Sequence, residues 1–149
     1  MGYLLREALP TDLSRVLQIA RECRDAAQWP DREFEQIVVP DALAHRIALV
    51  ILENDHVQGF IIGRAAGDQW EIENVAVNPL KRRHGLGAEL VREFLNRTRN
   101  GAKEVFLEVR ESNLNARKLY EKMGFVQIGR RKFYYQEPPE DAILLRFSF

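Results

Sequence analysis

The sequence predicts a mixed α/β domain built around one central sheet, and three observations lead to this fold class. The 149 residues are enough for one domain with a full hydrophobic core. Short β-branched segments alternate along the chain with segments whose apolar residues recur at helical spacing. No internal repeat and no low-complexity tract interrupts this alternation. We therefore expect residues 1–149 to form a single domain.

The composition contains no strong net charge and no long apolar segment. Lys and Arg total 22 and Asp and Glu total 22, so no global field attracts nucleic acid or an anionic membrane. No window approaches the ~18 apolar residues of a transmembrane helix, and the single cysteine, Cys23, has no partner for an internal disulfide. These features predict a soluble cytoplasmic protein with no membrane partner and no direct nucleic-acid binding.

The N-terminal part predicts one strand and two helices. Residues 3–8 form the strand, and residues 10–12 open a helix whose apolar face comprises Leu13, Val16, Leu17, Ala20 and Cys23. Pro30 suits the start of a second helix, which runs into a loop at Pro40.

Three strands are expected next, of which the first two form a hairpin. Segment 47–63 has two β-branched runs around residues 53–56, a hairpin signal even though the favoured Asn-Gly pair is missing. After Gly67 and Asp68, segment 70–77 has strong β propensity and ends at Asn78 and Pro79.

The C-terminal part predicts the order helix, strand, helix, strand, strand. The first helix begins inside segment 81–90 and ends near residues 100–101, and the strand 104–109 follows it. Ser112 and Asn113 can cap the second helix, which Gly124 stops. Segments 125–135 and 142–149 then form two closing strands separated by the turn-rich segment 136–141.

Segment 81–90, KRRHGLGAEL, places three cations and a histidine directly before two glycines and a helix. At a helix start, backbone N–H groups and the helix dipole converge on an anion, and glycine lets the main chain approach a phosphate closely. The segment is neither a P-loop nor the dinucleotide motif GxGxxG, because Leu90 stands where the latter requires its third glycine. A solvated basic turn is the alternative that this segment leaves open.

The segment also fits a family motif. Residues 82–87, RRHGLG, resemble the R/Q-x-x-G-x-G/A motif of the Gcn5-related N-acetyltransferases (GNAT), which binds the pyrophosphate of acetyl-coenzyme A. Segments 74–87, 106–125 and 130–145 are similar, in order and spacing, to landmarks of the RimI-type ribosomal-protein alanine N-acetyltransferases. This resemblance implies a mixed, mostly antiparallel sheet that splays between its fourth and fifth strands to admit the coenzyme.

The resemblance also implies roles for individual residues. Main-chain groups of Val75, Ala76 and Val77 would contact the pantetheine and the thioester. The other implied coenzyme contacts are Arg82, Arg83, His84, Gly85, Leu86, Gly87, Ala88 and Asn113. Glu108 matches the general base of the RimI-type group and Tyr120 matches its general acid, while Tyr134 and Tyr135 match a pair that borders the acceptor cleft.

The reaction requires such an acid and base. An α-amine with a pKa near ~8 is largely protonated at neutral pH and must lose a proton before it attacks a thioester. The departing thiolate, with a pKa near ~8.5, benefits from a proton donor. A strand N–H aimed at the thioester oxygen would stabilise the charge that gathers there.

Each assignment has a structural alternative. Glu108 could be a solvent-facing residue at a sheet end, Tyr120 a core tyrosine, and the two adjacent tyrosines simple packing. Residues 130–132 could be an exposed, charged strand edge. The RimI-type pattern has an apolar residue at the position of Glu73, so Glu73 or Glu71 could share the role of base, and we count Glu73 among the acceptor-binding candidates.

The sequence thus predicts an acetyl-coenzyme A-dependent N-acetyltransferase acting on a protein N-terminal α-amine, with an alanine-starting small-subunit ribosomal protein as first candidate. A GNAT enzyme for lysine, polyamine or another small amine is the alternative within enzymes, and a non-catalytic acyl-coenzyme A sensor is the alternative from another class. No His/Cys cluster has metal-ligand spacing, so no metal is expected. The acceptor pocket lies where the resemblance is weakest, so fold alone does not identify the acceptor.

Overall fold

The computed structural model describes residues 2–38 and 45–149, and within these ranges seven strands form one sheet in the order β1-β2-β3-β4-β5-β7-β6. The strands are β1 (Tyr3–Glu7), β2 (Arg46–Glu53), β3 (His56–Ala66), β4 (Gln69–Val77), β5 (Glu104–Arg110), β6 (Val126–Gln136) and β7 (Pro139–Ser148). The α-helices of these ranges are α1 (Leu13–Glu22), α2 (Asp31–Gln36), α3 (Leu86–Thr98) and α4 (Leu114–Lys122).

All neighbouring strands are antiparallel except β4 and β5, which are parallel because α3 crosses over between them. One face of the sheet packs against α3 and α4 in a core cluster that includes Leu90, Phe94 and Tyr120. The other face packs against α1 and α2 in a second cluster that includes Ile19 and Phe34. The predicted mixed, mostly antiparallel sheet is therefore confirmed.

The sheet splays between β4 and β5. Their register pairs Gln69 to Ile72 with Glu104 to Leu107, and the pairing then stops although both strands continue. This is the separation that the family resemblance implied, and it is confirmed at the predicted pair of strands.

A β-bulge at Glu73 re-aims the end of β4. The β3–β4 register passes from Ile72 to Asn74 without a partner for Glu73. One extra residue reverses the alternation of side chains, so Ile72 lies in the α3 core while Asn74 donates to the Ala27 carbonyl on the α1 side.

Gly63 lets α3 pack close to the sheet. A Cβ on this β3 residue would overlap the Phe94 ring. The Phe94 ring in turn meets the Trp70 ring edge-on, with centroids 5.9 Å apart. The glycine thus serves a close approach between helix and strand.

A partly buried ion pair fixes the start of α1. Arg6 donates to both carboxylate oxygens of Asp12 at 2.7 and 3.0 Å, and the Leu9 N–H donates to Asp12 Oδ2 at 2.7 Å. The hydrogen bond from Arg6 is the main cause that lowers the pKa of Asp12. These contacts tie the first strand to the turn before α1.

The elements occur in the predicted order, and three of the differences in their bounds have a clear physical origin. The turn between the last two strands spans only residues 137–138 rather than 136–141, because Gln136 and Pro139 pair with each other. A proline is tolerated as the first residue of a strand, so Pro139 does not prevent this pairing.

Helix α2 ends at Gln36, although Ile37 beyond it is still buried, and the predicted loop at Pro40 lies outside the described residues. The first predicted helix begins as a short 3-10 turn, Pro10–Asp12, before α1.

None of the helices in residues 2–38 and 45–149 is both long and apolar enough to cross a membrane.

Candidate active site

A cleft of about 860 Å³ opens where β4 and β5 separate. The loop after α1, the end of β4, the start of α3, β5, α4 and β6 all contribute to its walls. The predicted site residues that line it are Glu73, Val75, Ala76, Val77, Arg82, Arg83, Gly85, Leu86, Gly87, Ala88, Glu108, Asn113, Tyr120, Tyr134 and Tyr135. Residues far apart in sequence are thus brought to one cavity by the topology of the sheet.

The end of β4 presents main-chain groups to this cleft. Val75, Ala76 and Val77 pair with β3 on one side, whereas β5 has diverged on the other. Main-chain groups alternate in direction along a strand, so those that point toward β5 face the cleft. The Val77 carbonyl accepts a hydrogen bond from Cys23 Sγ at 3.2 Å.

The loop after β4 ends in a left-handed turn that starts α3. Arg83 and Gly85 have φ values of 68° and 78°, and the Gly85 carbonyl accepts the α3 hydrogen bond from the Glu89 N–H at 3.1 Å. The preceding N–H groups of the first helical turn have no partner within the helix. They and the helix dipole lie at the helix start where the sequence predicted an anion site, and that prediction stays open.

The basic side chains of this loop contact different parts of the protein. Lys81 Nζ lies 2.7 Å from Glu53 Oε1 in the β2–β3 hairpin, which tethers the loop to the sheet. That hydrogen bond is the main cause that lowers the pKa of Glu53, and the His84 charge acts in the same direction. His84 is exposed and does not line the cleft, whereas Arg82 lines it and lies beside Cys23. Burial raises the pKa of the Cys23 thiol more than Arg82 lowers it.

Glu108 is a partly buried member of the cleft rather than a free surface residue. Its side chain is 19% exposed, and its Oε1 lies 3.1 Å from Arg131 Nε on β6. The same guanidinium lies 5.5 Å from the centre of the Tyr134 ring. Glu108 is also the main cause that raises the pKa of Tyr134. One carboxylate, one guanidinium and one phenol therefore meet at this end of the cleft.

Tyr120 is both a core residue and a wall of the cleft. It is 5% exposed, and its ring meets the Phe125 ring with centroids 5.6 Å apart. Burial is the main cause that raises the pKa of Tyr120, followed by Tyr135. The phenol therefore keeps its proton at neutral pH.

Tyr135 is held between a cation and a second ring. The Arg110 guanidinium lies 4.1 Å from its ring centre, and the Tyr134 ring meets it edge-on at 5.2 Å. Burial raises the pKa of Tyr135 to about 12, with Glu108 as the next cause.

Two further carboxylates lie at the same end of the cleft. Glu73 pairs with Arg46 Nε at 3.3 Å and with Arg64 Nε at 3.8 Å. Burial raises the pKa of Glu71, and the nearby charges of Glu73 and Glu108 raise it further. The three carboxylates on β4 and β5 make this end of the cleft suited to a cation.

Asn74 and the loop after α1 also belong to the cleft, although the sequence did not predict them as site residues. Asn74 lines the cleft, and its Oδ1 is buried without a hydrogen-bond partner among the described residues. Asp25, Ala26 and Trp29 form the opposite wall. An asparagine inside an apolar strand is unusual, so this residue was a signal that sequence reasoning could have used.

Asn113 has a structural role at the rim of the cleft. Its side chain accepts a hydrogen bond from the Ala116 N–H at 3.3 Å and thereby caps α4, as predicted. Asn115 and Ala116 of the same turn also line the cleft. Within residues 2–38 and 45–149, no group of three or more His, Cys, Asp or Glu side chains could hold a metal ion.

Comparison with known proteins supports one family. The sequence profile of the acetyltransferase (GNAT) family matches residues 13–125. The [ribosomal protein bS18]-alanine N-acetyltransferase of Escherichia coli is 34% identical over 138 residues, covering 91% of this chain and 90% of that protein. An uncharacterized protein of Mycobacterium leprae is 30% identical over 92% of this chain, and N-alpha-acetyltransferase RimI of Mycobacterium tuberculosis is 36% identical over 57% of it. The matches span only 38% and 52% of those two mycobacterial proteins.

Solved structures agree with these sequence matches. The ribosomal-protein-S18-alanine N-acetyltransferase of E. coli superposes with a TM-score of 0.85 at 26% identity, covering 99% of this chain and 94% of that one. Arabidopsis thaliana NAA60 in complex with acetyl-CoA shares the fold, with a TM-score of 0.88 at 18% identity over 99% of both chains. Because the profile match and the E. coli relative both cover most of the sequence, this chain belongs to the acetyltransferase (GNAT) family of acyltransferases and is similar to its RimI-type members.

Proposed function

We propose that this protein is an acetyl-coenzyme A-dependent N-acetyltransferase for the N-terminal α-amine of a protein. The observation that carries the proposal is the single cleft that joins the α3 loop, the open edge of β4, Glu108 and Tyr120. Relatives named as bS18-alanine N-acetyltransferases support the alanine N-terminus of a small-subunit ribosomal protein as first candidate acceptor. We also infer that the chain forms one catalytic domain, since both core clusters share the one sheet.

The geometry fits the coenzyme. The positive φ of Gly85 and the helix N-terminus suit a pyrophosphate, with Arg82 and Arg83 as nearby cations. The main chain of residues 75–77, which has no β5 partner, suits the amides of a pantetheine arm. The bound coenzyme would supply an acetyl group activated as a thioester. His84, which does not line the cleft, is the predicted coenzyme residue that this geometry supports least.

Glu108 would act as the base. A protein α-amine arrives largely as an ammonium ion, and the carboxylates of the cleft attract it. The Arg131 ion pair orients the Glu108 carboxylate, which would then accept a proton from the amine. Glu71 is the alternative base because it lies in the same cleft and its raised pKa increases its affinity for a proton. Glu73 is the weaker candidate because two arginines pair with it, whereas Glu108 pairs with one.

Tyr120 would act as the acid. Its buried phenol retains its proton at neutral pH because burial raises its pKa. Because Tyr120 and the open edge of β4 line the same cleft, a proton held at the phenol oxygen could be given to the departing thiolate. The reaction would therefore use one group that accepts a proton and one that donates it, both lining the same cleft.

Mass spectrometry of a peptide panel tests the proposal. The purified protein and acetyl-coenzyme A are incubated with an alanine-starting ribosomal peptide, with a peptide that has a blocked α-amine and an internal lysine, and with a polyamine. The proposal predicts acetylation of the free α-amine alone. Acetylation of lysine or polyamine instead would establish the alternative enzyme class. Coenzyme binding without acetylation of any acceptor would favour the non-catalytic acyl-coenzyme A sensor.

A further inference from the structure

A second cavity of about 270 Å³ adjoins the cleft. Ala66, Phe106 and Leu144 provide its apolar surface. Glu71 and Glu108 line both cavities, so the two spaces share a wall. The role proposed for the first cleft does not account for this second cavity.

The register of the strands explains why these residues share one face. Glu71 on β4 lies beside Phe106 on β5, and Glu108 lies beside Leu144 on β7. Directly paired residues project to the same side of a sheet. The core cluster on this side draws on α1, α2 and the strands up to β4. The cavity lies past that cluster, on the part of the face formed by β4, β5 and β7.

The shared wall places the second cavity within reach of an acceptor chain. An extended polypeptide advances about 3.3–3.6 Å per residue. The second cavity therefore lies within reach of the next few residues of an acceptor whose α-amine is at Glu108 and whose chain runs toward the shared wall. The carboxylates at the shared wall suit the cationic amine, and the apolar floor suits a hydrophobic side chain.

Arg131 forms the boundary on the other side. It lines the second cavity while its Nε pairs with Glu108 at 3.1 Å. The ion pair therefore leaves the rim of the cavity polar and its floor, at Phe106 and Leu144, apolar. A few polar groups around an apolar surface are typical of a site that selects one side chain.

We propose that this second cavity is an acceptor subsite that receives an apolar side chain from one of the residues directly after the acceptor's first residue. The inference rests on the proposed function, because it assumes an α-amine acceptor at Glu108. It assigns selectivity to residues of β3, β5 and β7, outside the coenzyme-binding loop.

Peptide kinetics test the subsite. Peptides share one first residue and carry leucine, phenylalanine or alanine at position 2, 3 or 4. At one of these positions, leucine or phenylalanine is expected to give a kcat/KM at least about tenfold above alanine, the usual worth of a filled apolar pocket. A preference for alanine, or equal rates at all three positions, overturns the subsite.

A variant that fills the second cavity tests whether the preference for an apolar side chain arises there. Ala66→Trp adds a large ring at an exposed β3 position of the cavity, and the ratio of kcat/KM between leucine and alanine peptides is expected to fall to about one. Gln127→Trp is the matched control, because Gln127 is an exposed strand residue that lines neither cavity. It should leave the ratio and the basal rate unchanged.

The outcomes separate the two proposals. A preference that survives Ala66→Trp while the variant remains folded by circular dichroism overturns the subsite alone. Absence of acetylation on every free α-amine contradicts the proposed function, and the subsite is then overturned with it.

Discussion

Tyr120 shows at the scale of one residue why sequence patterns leave roles open. Its position on the apolar face of α4 is compatible with a core tyrosine or with a proton donor. In the structure, Tyr120 packs against Phe125 in the core and also lines the cleft, so both descriptions apply to it. Burial itself supplies the property that a proton donor needs, because it raises the pKa of the phenol.

Tyr120→Phe removes this hydroxyl and nothing else. We expect kcat for α-amine acetylation to fall about 10²–10⁴-fold, the usual contribution of a positioned acid or base. The KM for acetyl-coenzyme A should stay within about twofold, because the ring packing is kept. Tyr3→Phe is the control for kcat, since Tyr3 packs against the same core cluster but does not line the cleft. Steady-state kinetics in which Tyr120→Phe retains its kcat would refute the role as acid.

Asp12 provides a prediction about stability. Asp12→Asn breaks a two-point ion pair with Arg6 and weakens the bond from the Leu9 N–H. Hydrogen bonds to charged groups contribute about 1.5–3 kcal/mol, so we expect the free energy of unfolding at pH 7 to fall by about 1–3 kcal/mol. Urea unfolding measures this change, and an unchanged midpoint would contradict it.

The same carboxylate predicts a dependence on pH. Its pKa in the fold is lowered by Arg6, so its stabilisation is fully present above the unfolded pKa of about 3.9. The stabilisation is lost as the pH falls through the folded pKa. Unfolding free energies measured from pH 7 downward should show that Asp12→Asn and the native chain converge at acid pH, and parallel curves would contradict the assignment.

At the scale of elements, the sequence predicted the order of strands and helices because apolar periodicity records which face of each element is buried. The bulge at Glu73 was not predicted, since one extra residue in a strand leaves no local signal. The two-residue turn before Pro139 was not predicted, because residues 136–141 are typical of a longer turn. The pairing of β6 with β7 nevertheless extends to Gln136 and Pro139.

The candidate site was predicted only where its residues form contiguous motifs. The loop before α3, Glu108 and Tyr120 belong to such motifs and line the cleft together. Asn74, Trp29 and the second cavity arise from contacts between separate elements, for which one sequence carries no spacing rule. Arg131 is a further example, because its ion pair with Glu108 crosses from β6 to β5 over β7.

Gly85→Ala tests the element that starts α3. A side chain at φ 78° costs about 1–2 kcal/mol, so the turn should rotate and misalign the N–H groups. We expect the KM for acetyl-coenzyme A to rise about tenfold, the equivalent of 1.4 kcal/mol, with little change in kcat at saturation.

Gly101→Ala is the matched control for Gly85→Ala. Gly101 follows the C-terminal end of α3, has no left-handed φ, and has space around its Cα. Coenzyme affinity should therefore be unchanged in this variant. Equal behaviour of the two variants would show that the left-handed turn at Gly85 is not needed for coenzyme binding.

At the scale of the whole molecule, zero net charge means that anion binding is a local property of the cleft. At the proposed site, a coenzyme would bridge β4, α3 and α4 and would bind the folded chain and not the unfolded one. At a hundred times its dissociation constant it should stabilise the fold by about 2.7 kcal/mol. Each kcal/mol raises the Tm of a chain of this size by roughly 2–4 °C. Calorimetry with and without acetyl-coenzyme A measures the shift, and an unchanged Tm would contradict the assigned coenzyme site.

The role of Glu108 as base is tested by the rate of α-amine acetylation by Glu108→Gln, measured together with its affinity for acetyl-coenzyme A and compared with Glu71→Gln. Glutamine keeps the size of the side chain but cannot accept the proton. We predict that Glu108→Gln loses about 10²–10⁴-fold in kcat while coenzyme affinity is retained, and that Glu71→Gln stays within about tenfold of the native rate. Full activity in Glu108→Gln, or a loss confined to Glu71→Gln, would contradict the account.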